Sequence, residues 1–110
     1  MHPNSEVDDV NEMHPYNPHK ADKDVEVGDF YFKMKNYKAA ESRYAEALLY
    51  KSDDAEATFK LAATREKLGE EEDALAGYQS YLKILPEGPH AKEAKDAIEK
   101  LTNPAVIAWW

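Results

Sequence analysis

The chain contains no cysteine. A disulfide scaffold, a thiolate metal site and a cysteine nucleophile are therefore excluded. That absence fits the cytosol and equally fits a mature periplasmic protein. No apolar run approaches the ~20 residues that a membrane helix needs. The opening Met1-His2-Pro3-Asn4-Ser5-Glu6 lacks the apolar stretch of a secretory signal. Basic residues are outnumbered, with 14 Lys and Arg against 22 Asp and Glu and a formal charge of −8. Nucleic acid and anionic membranes both need Lys/Arg clusters to displace counterions, so this balance disfavours them and favours a basic or mixed-charge partner. There is no Gly-rich phosphate loop, no His-Glu-x2-His and no Ser-centred nucleophile elbow. The expectation is accordingly a protein without enzymatic activity, cofactor or metal.

With 110 residues the chain is expected to form one domain. Residues 1–20 read as a flexible arm. Pro3, Pro15 and Pro18 interrupt it, Glu6, Asp8, Asp9 and Glu12 charge it, and it carries no sustained helical or strand periodicity. His14 and His19 in this arm lack a helix to aim them at one metal, so they are read as solvated. From Ala21 helix formers dominate. An offset of 34 residues brings Gly28 onto Ala62, Ala40 onto Ala74, Tyr44 onto Tyr78, Leu48 onto Leu82 and Ser52 onto Pro86. Two copies follow, over 21–54 and 55–88.

Apolar spacing of three and four residues divides each copy into two predicted helices. The first copy carries them near 22–34 and 37–51, with Lys35-Asn36 as the turn. The second carries one near 55–68, with Asp53 as its cap and Glu56 at capping-box spacing, and another around Ala74, Tyr78 and Leu82. Gly69 suits the left-handed residue that ends a helix. Ala91, Ala94, Ile98 and Leu101 form the stripe of a fifth helix at 89–101, with Pro89 in its first turn. Its other face is charged, as the solvating end of a repeat stack requires. Residues 102–110 form an apolar tail.

These residues resemble the tetratricopeptide repeat (TPR) family. Copy one supplies Val27-Gly28-x2-Tyr31, Ala40-x3-Tyr44 and Ala47. Copy two supplies Leu61-Ala62, Gly69, Ala74-x3-Tyr78 and Pro86. The resemblance implies an all-α fold, a TPR helix-turn-helix solenoid of two repeats plus a C-terminal capping helix at 89–101. It also implies a protein–protein interaction module. The chain departs from the pattern at Asp24 and Thr58, where a large residue is usual, at Arg65 in place of tyrosine, at Tyr81 in place of alanine and at Ser52 in place of proline. The junction Leu85-Pro86-Glu87-Gly88-Pro89-His90-Ala91 is similar to junctions in TPR proteins of the bacterial envelope. This implies a periplasmic or envelope-associated parent of the lipoprotein type, with the cytoplasm as the alternative.

The same resemblance places the partner-binding face on the first helix of each copy. The candidate contact residues are Val25, Asp29, Phe32 and Lys33, then Glu56, Phe59, Lys60, Ala63 and Glu66. Val25, Phe32 and Phe59 are the apolar anchors, and the acids select basic side chains. The alternative is that the two phenylalanines pack between helices and the acids are solvated. Some TPR proteins clamp a C-terminal carboxylate, but Val25 and Asp29 stand at the matching positions here, and neither binds one. The tail Val106-Ile107-Ala108-Trp109-Trp110 is open to three readings. It folds back over the last helix, it is an appended remnant, or it enters the groove of a second copy through Ile107, Trp109 and Trp110 to form a homodimer.

Overall fold

The computed structural model of the chain describes residues 14–103, which form an all-helical fold. Its helices are α1 (Pro18–Lys33), α2 (Tyr37–Tyr50), α3 (Ala55–Lys67), α4 (Glu71–Ile84) and α5 (Ala91–Thr102). Each helix packs against the next one in sequence, and the short connections make such neighbours antiparallel. No described helix is long and apolar enough to cross a membrane. Residues 1–13 and the tail candidates Ile107, Trp109 and Trp110 lie outside the described residues.

Local chemistry sets the helix ends. Asn17, Asn36 and Asp54 each accept a backbone N–H of the first turn, from Lys20, Ala39 and Ala57 respectively. The first helix therefore starts at Pro18, earlier than the periodicity indicates, because Asn17 caps it and proline suits the first turn. The backbone N–H of Asn17 also donates to the Tyr50 carbonyl at 2.9 Å, which fixes residues 14–20 to the end of α2. Asp54 rather than Asp53 caps α3, and its buried side chain reaches the Ala57 N–H at 3.0 Å. At the start of α4, Glu71, Glu72 and Asp73 meet the positive end of the helix dipole in place of a side-chain cap. Pro89 stands outside α5, which begins at Ala91 after His90.

The same backbone bonds recur along the chain. Lys35 N–H donates to Phe32 O and Asn36 N–H to Tyr31 O; 34 residues on, Gly69 N–H donates to Glu66 O and Glu70 N–H to Arg65 O. Both turns place one residue in the left-handed region, Lys35 at φ 62° and Gly69 at φ 79°. Glycine adopts that conformation freely, whereas Lys35 bears the strain of its Cβ. The ends of α2 and α4 match too, with Lys51 N–H on Ala47 O and Leu85 N–H on Tyr81 O.

Small residues set the helix crossings. Ala40, Ala47, Ala57, Ala62, Ala74 and Ala94 are fully buried. A Cβ on Gly28 would stand 2.6 Å from the Tyr44 ring, and one on Gly77 would stand 2.8 Å from the Ala62 Cβ. Four of the five departures from the repeat pattern find a partner in the fold, although Asp24 keeps its Oδ2 buried without a hydrogen bond. Asp24 is buried and held by Lys20 at 2.7 Å, with Arg43 at 3.9 Å. Thr58 donates its hydroxyl to the Asp54 carbonyl. Arg65 bonds Glu41 of α2 at 3.1 Å. Tyr81 is buried and its hydroxyl accepts the His90 N–H at 2.9 Å.

Candidate partner-binding face

Helices α1, α3 and α5 are joined by side chains along one face. Asp29 of α1 accepts the Tyr44 hydroxyl at 2.6 Å and both of its oxygens receive Lys60 of α3, at 3.0 and 2.9 Å. Glu66 of α3 accepts the Tyr78 hydroxyl at 2.7 Å and pairs with Lys100 of α5 at 2.6 Å. The arrangement is the same in both places. A tyrosine from the second helix of a hairpin donates to an acid on the first, and a lysine from the next hairpin or helix grips that acid.

These contacts shift the groups' acidity. Burial, reinforced by Asp29, pushes the Tyr44 hydroxyl far above the ordinary tyrosine range. Burial and Glu66 do the same to Tyr78. Burial lowers Lys60, but Asp29 and Glu56 outweigh it and leave its ammonium above the usual lysine value. Burial raises Glu66, and the bonds from Lys100 and Tyr78 overcome it to hold the carboxyl below the usual glutamate value. Both tyrosines thus stay protonated donors, and Glu66 is held in its charged form.

Phe59 anchors a second cluster. Its ring stacks on His90 with centroids 4.1 Å apart and planes 7° apart, and it meets Tyr78 and Tyr81 edge-on at 5.7 and 5.5 Å. His90 Nε2 lies 3.3 Å from Glu56, and its Nδ1 lies 3.1 Å from Glu93. Beside this cluster runs a groove of 380 Å³ lined by Phe59, Ala63, Glu66, Tyr78, Glu93, Asp96, Ala97 and Lys100. Its floor is aromatic and aliphatic, and its α5 rim carries exposed acids.

The nine sequence candidates divide on this map. Phe59, Ala63 and Glu66 come together in the groove. Asp29, Lys60 and Glu56 lie beside it as an ion-paired row, with Lys60 3.4 Å from Glu56. Val25 is half-buried and packs against two core clusters, one around Ala21, Ala47 and Ala57 and the other around Ala40, Tyr44 and Leu61. Phe32 packs on the second cluster and meets Tyr37 edge-on at 5.2 Å. Lys33 is exposed at the end of α1. Sequence reasoning missed Glu93, Asp96, Ala97 and Lys100, having assigned the charged side of α5 to solvent. Their signal was the spacing of three and four residues that puts all four on one side of α5. Among the described residues no group of His, Asp or Glu converges as a metal site would require.

No family model matches this chain, and no curated protein matches it.

Proposed function

We propose that this chain is a TPR-type helical repeat module whose α1–α3–α5 face binds a partner protein or peptide. The observation that carries the reading is the recurrence, 34 residues apart, of the turn bonds at Lys35 and Gly69 and at Asn36 and Glu70. The tyrosine–acid–lysine arrangement, repeated from Tyr44 to Tyr78, supports it further. Repeated hairpins of this kind stack into a rigid surface, and a rigid surface binds without ordering itself first.

The groove beside Phe59 receives an apolar partner side chain. Glu93 and Asp96 on its rim favour Lys or Arg next to that residue. Selection from a random peptide library, followed by NMR mapping of the selected peptide, tests this. Shifts should concentrate at Phe59, Ala63, Tyr78 and Ala97, and Ala63→Arg should abolish binding while leaving the helical signal intact. Shifts confined to the α2 and α4 surface, or binding that survives Ala63→Arg, would overturn the proposal.

A further inference from the structure

The groove beside Phe59 is a gap between two matched rows. Phe59, Ala63 and Glu66 line it from one side of α3, and Glu93, Ala97 and Lys100 of α5 stand at the positions 34 residues on. Two contacts fix that register. Glu56 meets His90 at 3.3 Å and Glu66 meets Lys100 at 2.6 Å, and both pairs are 34 residues apart. Between these bridges the rows carry only Ala63 and Ala97, and two methyl groups leave the 380 Å³ unfilled.

The bridge at the Glu66 end is the replaceable one. In the first hairpin the corresponding lysine, Lys60, meets both oxygens of Asp29 and also Glu56, and its side chain is 27% exposed. Among the described residues Lys100 pairs with Glu66 alone, and it is 55% exposed. The Glu66 carboxylate itself is fixed, because the Tyr78 hydroxyl donates to its Oε1 at 2.7 Å. We propose that Glu66 is the cation subsite of this groove: an arginine of the partner displaces Lys100 from Glu66, while an apolar side chain three residues away covers Phe59 and Ala63. This inference rests on the reading of the groove as the partner-binding site.

Three observations select that occupant. First, the lining carries three carboxylates, Glu66, Glu93 and Asp96, against the single ammonium of Lys100. Glu93 and Asp96 are already engaged, by His90 and by Lys92, and are 68% and 64% exposed. Glu66 is only 24% exposed, so a charge pair made there is screened least. Second, each carboxylate oxygen has two lone pairs, and the bonds from Tyr78 and Lys100 occupy one on each. A guanidinium fork bonds both oxygens at once, whereas the Lys100 ammonium holds one. Third, the length fits. Phe59 and Glu66 are seven residues apart on α3, or ~10 Å along its axis, which is the span of three residues of extended chain.

The probes are two tetrapeptides, acetyl-Leu-Ala-Ala-Arg-amide and acetyl-Arg-Ala-Ala-Leu-amide, because the partner's direction along the groove is free. Citrulline in place of arginine keeps the shape and removes the charge. In NMR titrations of the folded chain, one arginine peptide should shift Phe59, Ala63 and Ala97 and bind about tenfold tighter than its citrulline form. Lys100→Gln should tighten the arginine peptide about threefold and leave the citrulline peptide unchanged. Lys95→Gln removes the same charge from an exposed position of α5 outside the groove lining and should change neither. Glu66→Gln keeps an acceptor for Tyr78 and should weaken the arginine peptide to the citrulline level, with the helical signal intact. Arginine and citrulline peptides that bind the groove equally, or a Lys100→Gln effect matched by Lys95→Gln, would overturn the subsite and leave the groove standing. Failure of every peptide to shift these residues would remove the groove and the subsite together.

Discussion

Removing the Tyr44 hydroxyl isolates one link of the face. Tyr44→Phe keeps the ring against Gly28 and deletes only the donor to Asp29, which lies 2.6 Å away. A hydrogen bond to an ionised carboxylate is worth ~1.5–3 kcal/mol. Asp29 keeps Lys60 and its side chain is 38% exposed, so water replaces part of what is lost. The expected destabilisation is therefore at the low end, ~1–2 kcal/mol. At ~4–8 °C per kcal/mol for a domain of this size, the thermal midpoint should fall by roughly 5–15 °C. Tyr78→Phe should lose more, because its acceptor Glu66 is only 24% exposed. Thermal and urea unfolding followed by circular dichroism measure both. A double-mutant cycle with Asp29→Ala separates the pair term from general damage. A change under ~0.3 kcal/mol for both tyrosines, or a cycle with no coupling, would refute the claim that these hydroxyls tie the hairpins.

Three further outcomes follow from the packing and the charges. Gly77→Ala should destabilise by ~1–3 kcal/mol despite alanine's better helix propensity, because the new Cβ meets the Ala62 Cβ at 2.8 Å; a stabilised variant in urea would contradict that crossing. Phe59→Ala should cost ~1–3 kcal/mol, below the range for a fully buried phenylalanine, because the ring is half-buried among Tyr78, Tyr81 and His90. A cooperative unfolding curve shifted to lower urea should record it. Acid should weaken the fold. Lys20 holds Glu46 below the usual carboxyl value, and Lys100 with Tyr78 holds Glu66 below it against burial. The unfolded chain therefore takes up protons first as pH falls. The stability from these groups is complete at neutral pH and is lost as pH drops through the ordinary glutamate range and below. Urea midpoints measured from pH 7 to pH 3 should decline, and a flat profile would show that these pairs contribute nothing.

Much of the helical layout was legible in the sequence because it depends on residues that act locally. Gly69 fixes a left-handed turn by itself, and Asn36 caps the helix that follows it. The spacing of Ala40 and Tyr44 marks one buried side of a helix. The misplacements have local physical causes as well. The spacing of Asp53 to Glu56 points to Asp53 as the cap, whereas the packing of α3 buries Asp54 and puts its side chain on the Ala57 N–H. Pro18 looked like a breaker until Asn17 made it a first-turn residue. The candidate face was less legible, since its character depends on pairings across the chain. Asp29 cannot reveal that Lys60 will neutralise it, and Phe59 cannot announce that His90 will stack on it.

The two lysine bridges join helices that are not neighbours in sequence, α1 to α3 through Asp29 and Lys60, and α3 to α5 through Glu66 and Lys100. Each adds a charge pair to the apolar packing that already holds these helices together. Lys100 is 55% exposed, whereas Lys60 is 27% exposed, so dissolved ions reach the two pairs unequally. Rising salt should therefore weaken the Glu66–Lys100 pair before the Asp29–Lys60 pair. The face thus carries one ion pair open to the solution and one sheltered from it, laid over the apolar packing of Phe59, Ala97, Ile98 and Leu101.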